Sequence, residues 1–260
     1  MMKTERLVLG LALVAAGVFG SPSPQHLSGR SRPDALRPDV SVGVHSAASF
    51  AGSGAPSGEG GSEVQSACSD GAYVLNGHRW SKQYNWRFQA SSRPNGFSAS
   101  GTADAFRRAA LNIVRGDNNC GLPDAISASQ WYRGTTSRAP NISSGAGCLG
   151  RDGYNVVGFG TLPSGYLGMT CWWTYNGRIV ETDVKLNKAY YRWYINRPSG
   201  CSYKWSIEAA ATHEFGHAFG LGHVSEAQHP SLTMSPVIKA CQESEKTLGL
   251  GDVVGLKALY

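Results

Sequence analysis

Histidine and long apolar runs are scarce in this chain. Only seven of its 260 residues are histidine, so any cluster of them is informative. No apolar stretch is long enough to cross a bilayer, which takes about 20 residues, and this argues against an integral membrane protein. The chain has a net charge of +6, but its basic residues are dispersed and form no Lys/Arg block. We therefore predict no nucleic-acid binding and no stable membrane association, although the charge allows a mild preference for acidic polymers or surfaces.

The N-terminus has the pattern of a secretory signal. Lys3 and Arg6 precede a short apolar stretch from Leu7 to Phe19, which ends among small residues. This order predicts a cleaved signal peptide over residues 1–20. An uncleaved anchor is the alternative, which the shortness of the apolar stretch disfavours. No cysteine precedes Cys68, which argues against lipid attachment at a processed N-terminal cysteine, and we expect a secreted, extracellular protein.

Composition divides the remaining chain into two segments. Residues 21–66 are rich in Ser, Gly, Pro and Ala and contain few large apolar side chains. Such a segment cannot bury enough surface to offset the entropy of ordering, which predicts a disordered propeptide or linker. Residues 67–260 are sufficient for one domain with its own core, and they contain no internal repeat.

All six cysteines lie in that predicted domain. An even number of cysteines in an exported chain favours disulfides. Loop lengths suggest two pairs and leave a third by elimination. The expected pairs are Cys120 with Cys148, Cys201 with Cys241, and Cys68 with Cys171.

The run from His213 to His223 has the pattern HExxHxxGxxH. His213 and His217 are four residues apart, so in a helix both side chains project from one face, one turn apart. Upstream, Ser206 is followed by an acid and then by alanines. These residues predict a helix that begins at a serine N-cap and brings two imidazoles to one metal ion.

Gly220 follows where this helix is expected to end, and glycine tolerates the positive φ that lets the chain turn sharply. His223 can then become a third ligand. Three neutral imidazoles leave a zinc ion one open position, at which the pKa of a water molecule falls toward neutrality. Glu214, next to the first ligand, is the natural general base. The pattern therefore predicts a zinc peptidase that forms no covalent intermediate.

Two interpretations without catalysis remain open for the HExxHxxGxxH run. The helix could be an amphipathic core helix whose histidines only form hydrogen bonds, or the site could hold a structural zinc ion. A structural site normally closes its fourth position with Cys or His, and Glu214 would then have no role. Both alternatives are therefore disfavoured.

A second landmark lies beyond the third histidine. Met234, within Ser231–Pro236, is eleven residues after His223, and this segment is similar to the Met-turn, whose methionine forms an apolar floor under the metal. The chain thus resembles the metzincins and, among them, the matrixins and their secreted bacterial relatives. Pro236 stands where some other metzincins have a tyrosine ligand. The resemblance implies an α+β catalytic domain with a twisted mixed β-sheet, an active-site helix, a Met-turn and a C-terminal helix.

The resemblance extends from about residue 68 to the end of the chain. It implies an opening strand, a first helix with an apolar stripe, a strand before the active helix and a terminal helix. Asn176-Gly177 is a hairpin-turn signal. The corresponding segments are Tyr84–Phe88, the stripe Ala103, Phe106, Ala110, Ile113 and Val114, the strand Arg178–Asn187, and Leu248–Tyr260.

Further expectations follow from the resemblance. Tyr166, Leu167 and Gly168 would lie on the edge strand above the cleft and pair with an extended substrate; an ordinary edge strand is the alternative.

Residues 161–170 lack the histidine of the second, structural zinc site of matrixins, so we expect one catalytic zinc ion. Val224 also departs from the family, which usually has serine there. Calcium is common in the family, but its ligands have no match here.

Cys120-Gly-Leu-Pro-Asp resembles the core of the matrixin cysteine switch, whose thiolate blocks zinc. It follows the expected first strand and helix instead of preceding them, and Asn118-Asn119 replaces the expected Pro-Arg. We therefore expect Cys120 to be a structural half-cystine.

Together these features predict a secreted, monomeric zinc-dependent endopeptidase that acts on proteins or peptides. One alternative is a catalytically silent zinc-binding or adhesive module of the same fold. Another is a zinc amidase that acts on cell-wall peptides. A chelator-sensitive protein-cleavage assay and a comparison with wall fragments distinguish them.

Overall fold

The computed structural model of the protein describes residues 38–41 and 66–260. The predicted signal peptide over residues 1–20 lies outside them. Within the predicted propeptide or linker, residues 38–41 form a strand, and most of that segment also lies outside the described residues. The domain boundaries predicted from the sequence therefore stay a prediction.

The described chain contains eleven strands and three α-helices. In chain order the main elements are β1 (Pro38–Ser41), β2 (Val74–Leu75), β3 (Arg79–Trp80), β4 (Tyr84–Phe88), α1 (Ala99–Arg115), β5 (Gln130–Thr135), β6 (Asn155–Gly160), β7 (Gly168–Tyr175), β8 (Arg178–Asn187), β9 (Arg192–Tyr194), β10 (Lys204–Ser206), α2 (Ile207–Ala218), β11 (Leu221–Gly222) and α3 (Leu250–Leu259). This α+β composition confirms the predicted fold class.

A mixed seven-stranded sheet forms one layer. Its order is β1-β7-β8-β6-β4-β5, and β3 also pairs with β8. Strands β3, β8, β6, β4 and β5 pair in parallel, whereas β7 is antiparallel to β8 and β1 is antiparallel to β7. The turn between β7 and β8 has positive φ at Asn176 (50°) and Gly177 (69°), which is the backbone of a two-residue hairpin and confirms that prediction.

Helices α1 and α2 pack on one face of the sheet, which we call the inner face. Strand β4 alternates between buried and half-buried residues, so every second side chain points to the helices. Trp86 contacts Phe215 of α2 with ring centroids 5.6 Å apart, and Phe88 contacts Phe106 of α1 at 5.3 Å. Of the predicted stripe of α1, only Val114 is not fully buried. The main core therefore lies between the helices and the sheet.

The opposite, outer face of the sheet is covered only in part. A second apolar cluster lies there on β7, formed by Met169, Cys171 and Trp173 with Ile142 and Leu162. The β5–β6 loop, residues 136–154, contributes Ile142 to this cluster and lies over that half of the sheet. The half formed by β4 and β5 has no such cover among the described residues.

Three disulfides join all six cysteines: Cys68–Cys120, Cys148–Cys171 and Cys201–Cys241. The expected Cys201–Cys241 pair is confirmed, whereas the pairs Cys120–Cys148 and Cys68–Cys171 are wrong. The pairing predicted from loop lengths failed because the β5–β6 loop folds over β7, which brings Cys148 next to Cys171. The expectation that Cys120 is a half-cystine is confirmed.

Helix α3 confirms the predicted terminal helix and packs near the end of α2. Tyr260 donates from its hydroxyl to the carbonyl of Phe219 at 3.1 Å. Among the described residues, none of the helices combines the length and the apolar character that a membrane crossing requires.

Candidate metal centre

Helix α2 begins at the predicted N-cap. Ser206 has extended backbone angles, and its hydroxyl accepts from the amide of Ala209 at 3.2 Å. The helix is buried on every side, so its position is set by packing. Arg108 of α1 also holds its first turn through a 2.7 Å ion pair with Glu208. The helix is therefore a fixed platform for the two histidines it carries.

The helix ends where glycine is required. Gly220 has a φ of 100°, as predicted, and a Cβ at this position would collide with the carbonyl oxygen of His78. The chain then forms strand β11, which pairs with β2. This abrupt change of direction carries His223 back toward the helix.

The three histidines converge on one point. The Nε2 atoms of His213 and His217 are 3.1 Å apart, those of His213 and His223 are 3.0 Å apart, and those of His217 and His223 are 2.9 Å apart. Nitrogens placed tetrahedrally at about 2.0–2.1 Å from a zinc ion lie about 3.3 Å from one another. The triangle therefore has nearly the size that a shared zinc ion requires.

Hydrogen bonds on the far side of two rings fix their tautomer. His213 Nδ1 lies 2.7 Å from the carbonyl oxygen of Thr233, and His217 Nδ1 lies 2.9 Å from that of Leu221. A carbonyl only accepts, so each Nδ1 carries the proton and each Nε2 presents its lone pair to the convergence point. Two lone pairs facing each other repel unless a cation lies between them, which favours metal binding.

Burial also keeps the rings neutral. Burial, together with a smaller contribution from the neighbouring His223, lowers the pKa of His213 to about 3. Burial likewise lowers the pKa of His223 to about 4. Neutral imidazole is the form that binds a metal ion. Among the described residues, these three form the single group of three or more His, Cys, Asp or Glu side chains close enough to hold an ion.

Glu214 lies beside this triangle, fully buried. One carboxylate oxygen, Oε2, accepts from the Thr170 hydroxyl of β7 at 2.7 Å. The other, Oε1, has no hydrogen-bond partner among the described residues. Burial raises the pKa of Glu214 to about 8, and the Thr170 hydrogen bond opposes that rise. A buried acceptor without a partner is costly, which suits a group that waits for a water molecule or a substrate.

The predicted Met-turn lies under the histidines. Met234 is buried, and a Cβ on Gly216 would overlap its sulfur, so the methionine contacts the helix between the two helical ligands. Asp252 of α3 holds the turn, because its carboxylate accepts from the amides of Thr233 at 2.8 Å and of Met234 at 3.2 Å.

The three predicted substrate-contact residues lie at the start of β7. Gly168 is its first residue, and Tyr166 and Leu167 immediately precede it. A Cβ on Gly168 would overlap the Glu214 carboxylate, so this backbone passes directly beside the candidate base. On the side of β7 away from β8, β1 pairs with Thr170–Trp173, so β7 is not a free edge over that length.

Sequence reasoning missed Thr170 and Asp252. Thr170 is two residues after Gly168, so strand alternation could have placed it on the same face as Gly168, toward the active helix. Asp252 is three residues after Gly249, and its carboxylate accepts from the Gly249 amide at 2.9 Å. The rules for helix N-termini could have identified this cap. They could not have identified the hydrogen bonds from Asp252 to the Met-turn, because those contacts are not local.

Comparison with known proteins supports this arrangement. The matrixin family of peptidases matches residues 127–260, just over half of the chain. The match includes the three histidines, Glu214 and the Met-turn. No individual curated protein matches the chain significantly.

Proposed function

The chain belongs to the matrixin family, and we propose from this premise that it is a secreted zinc-dependent endopeptidase. The observation that carries the proposal is the convergence of three Nε2 atoms within 3.1 Å of one another beside the unpaired carboxylate oxygen of Glu214. His213, His217 and His223 would hold one zinc ion, and Met234 would support them from below.

A bound zinc ion supplies Lewis-acid chemistry, since it polarises a peptide carbonyl and lowers the pKa of water. Glu214 takes the proton of the attacking water on Oε1 and delivers it to the departing amine. Thr170 orients the carboxylate by binding its other oxygen. Helix α2 and the Met-turn exclude bulk water from this side of the site.

The substrate is an extended peptide. Leu167 and Gly168 bring backbone groups next to Glu214, and a strand paired there presents a peptide bond to the base. Glycine at position 168 supports this role because any side chain would overlap the carboxylate.

The protein needs one catalytic zinc ion and no second, structural zinc ion. Matrixins have a second, structural zinc site, and residues 161–170 of this chain lack its histidine. In this chain the corresponding region has other supports: the Cys148–Cys171 disulfide, and Asp183, whose carboxylate accepts from the amides of Asn141 at 2.6 Å and Val156 at 2.7 Å. Covalent and hydrogen bonds take the place of the metal.

Residues 21–66 act as a propeptide. Strand β1 supports this role: Pro38 pairs with Trp173 and Ser41 with Thr170. These four residues thus run along β7 toward Gly168 and cover backbone groups that a long substrate would use. Secretion agrees with the three disulfides, which persist in oxidising compartments.

The decisive experiment compares the zinc-loaded protein with Glu214→Ala on casein and on a peptide library. The variant is expected to keep one zinc ion per chain and to lose nearly all hydrolysis, and a chelator is expected to abolish wild-type activity. Glu243→Gln is the control: this half-buried carboxylate pairs with Lys246 outside the histidine triangle, and the variant should keep full activity. Undiminished hydrolysis by Glu214→Ala would refute the mechanism.

The same experiment separates the competing functions. A wild-type protein that binds zinc and cleaves no peptide would instead be the silent module. Cleavage of wall fragments in preference to the library would identify an amidase.

A further inference from the structure

The uncovered half of the outer face contains a cavity of about 550 Å³. It lies between strands β4, β6 and β8 and the loop before β6. The indole of Trp80 points toward the inner face, where it donates to the carbonyl of Ala218 in α2 at 2.8 Å. Asn85 and Arg87 project away from α1 and α2, so the sheet separates this polar part of the lining from the histidine triangle. The lining residues are Trp80, Ser81, Lys82, Gln83, Asn85, Arg87, Arg133, Gly153, Tyr154, Asn155, Ile179 and Val180.

Strand alternation explains why polar side chains gather there. In β4 the residues Tyr84, Trp86 and Phe88 are buried against the helices, which turns Asn85 and Arg87 to the outer face. In β5 the exposed positions include Trp131 and Arg133. The cavity therefore belongs to a face that the fold leaves polar and open.

The lining is strongly one-sided in charge. Lys82, Arg87 and Arg133 line the cavity, and none of its lining residues is acidic. None of the three forms an ion pair with an acid of the described chain. Nearby acids are already engaged: Asp152 pairs with Arg138 at 3.0 Å, and Glu181 pairs with Arg151 at 3.3 Å. Three cations without counter-ions around one cavity create a field that attracts anions.

Aromatic rings and amides complete the surface. Arg133 stacks on Trp131 with its guanidinium carbon 5.1 Å from the ring centroid, which holds the guanidinium in a defined position. Tyr154 is also exposed at the rim. Gln83, Asn85 and Asn155 line the cavity, and the Oδ1 atom of Asn85 is buried without a hydrogen-bond partner in the described part of the chain.

We propose that this cavity binds an anionic polysaccharide, a glycan that carries carboxylate or sulfate groups. The cations would bind the acidic groups, with bidentate contacts from the two arginines. The Asn155 amide already donates to the Asn85 carbonyl and accepts from the Thr182 amide, but the side chains of Gln83 and Asn85 can exchange hydrogen bonds with hydroxyl groups. Trp131 and Tyr154 offer flat apolar surface to sugar rings on the faces that Arg133 and Arg138 do not cover. An acidic peptide would satisfy the cations but would leave much of this hydroxyl-binding capacity unused, which favours the glycan.

The site is separate from the zinc centre and would anchor the protein to a glycan matrix. The probe is a heparin-derived hexasaccharide, whose binding to the full chain is measured by calorimetry. A neutral dextran oligomer and a poly-glutamate peptide of equal net charge serve as comparison ligands. The double variant Arg87→Gln/Arg133→Gln tests the cavity. Arg115→Gln/Arg192→Gln, which removes two exposed arginines elsewhere, is the matched control.

The hexasaccharide is expected to bind, and the cavity variant is expected to lose about tenfold or more in affinity, because two charge-assisted contacts are removed. The control variant should bind like the wild type, and affinity should fall with added salt. Peptide hydrolysis and the thermal midpoint should be unchanged in both variants. The single variant Lys82→Gln, at an exposed loop position, provides a milder test if the double variant is destabilised.

Three results would overturn the proposal. They are equal hexasaccharide binding by the cavity and control variants, poly-glutamate binding as tight as that of the glycan, and no hexasaccharide binding at low salt. None of them depends on whether the zinc centre hydrolyses peptides.

Discussion

Thr170 Oγ1 lies 2.7 Å from Oε2 of Glu214 and 3.0 Å from the carbonyl oxygen of the same residue. The single hydroxyl proton of this β7 side chain is thus shared between the backbone carbonyl and the carboxylate of the candidate base on α2. Only Oε1 is left to act on a substrate. The threonine is a positioning residue because it acts through Glu214.

Thr170→Val should lower kcat by about tenfold to a hundredfold, the value of one hydrogen bond to a charged group. KM and zinc content should change little, since neither the histidines nor the substrate backbone loses a contact. Steady-state kinetics and metal analysis of the purified variant measure both. Thr170→Ser retains the hydroxyl and should recover most of the activity. An unchanged kcat in the valine variant would show that Glu214 does not need this contact.

Gly216→Ala should destabilise the protein by about 1–3 kcal/mol, because its Cβ would overlap the sulfur of Met234 in a packed site. Urea unfolding of the zinc-loaded protein measures the loss. Gly150→Ala is the control, since a Cβ there meets no atom within 4 Å. Adding Met234→Ala to Gly216→Ala should cost less than the two single changes together. Additive losses would mean that the methionine does not contact the helix.

Local sequence predicted the convergence of the three histidines well because each part of that arrangement is local. The spacing of His213 and His217, the cap at Ser206 and the positive φ of Gly220 depend on a few neighbouring residues. Thr170 was missed because its partner is 44 residues away, and a threonine in a strand has no distinctive pattern. Two disulfides were misassigned for the same reason: the path of the β5–β6 loop, and not loop length, sets the neighbour of Cys148.

Strand β1 leads to a prediction about latency. A protein that lacks residues 21–66 should cleave long peptides faster than the full chain, because the β7 backbone at Thr170–Trp173 is then free to pair. Very short peptides, which need only the region of Gly168, should be affected much less. Rates for peptides of increasing length, measured on both forms, test this. Identical rates at every length would contradict a propeptide role for β1.

The buried carboxyl of Glu245 predicts a pH dependence of stability. Burial raises the pKa of Glu245 to about 7, above the value of about 4.3 in an unfolded chain. The folded state therefore favours the protonated form, and this contribution to stability is full below about pH 4.3 and is lost as the pH rises through about 7. Glu245→Gln, which does not ionise, should gain stability relative to the wild type from pH 5 to pH 8.

Urea unfolding at these two pH values measures that gain. Ser137→Ala, which replaces an exposed residue that does not ionise, is the control and should show no such trend. If the free energy of unfolding had the same pH dependence in the wild type and in Glu245→Gln, the raised pKa of Glu245 would be excluded.

Replacing Cys148 and Cys171 by alanine should cost about 2–4 kcal/mol of unfolding free energy, as for other disulfides that close loops of this size. The zinc content should remain at one ion per chain, since the histidines lie on the inner face. Urea unfolding measures the loss of stability, and metal analysis measures the zinc content. Loss of zinc in this variant would show that the loop and the metal centre are coupled.

The Cys148–Cys171 disulfide affects how the protein responds to loss of metal and to reducing conditions. Because a covalent link supports the loop over the outer face, removal of a metal ion from the histidines would leave that loop in place. Thiol-rich surroundings would have the opposite effect, loosening the loop while the histidines keep their ion. Loss of the metal and loss of the disulfide would thus act on opposite faces of the sheet, the first on the inner face and the second on the outer face.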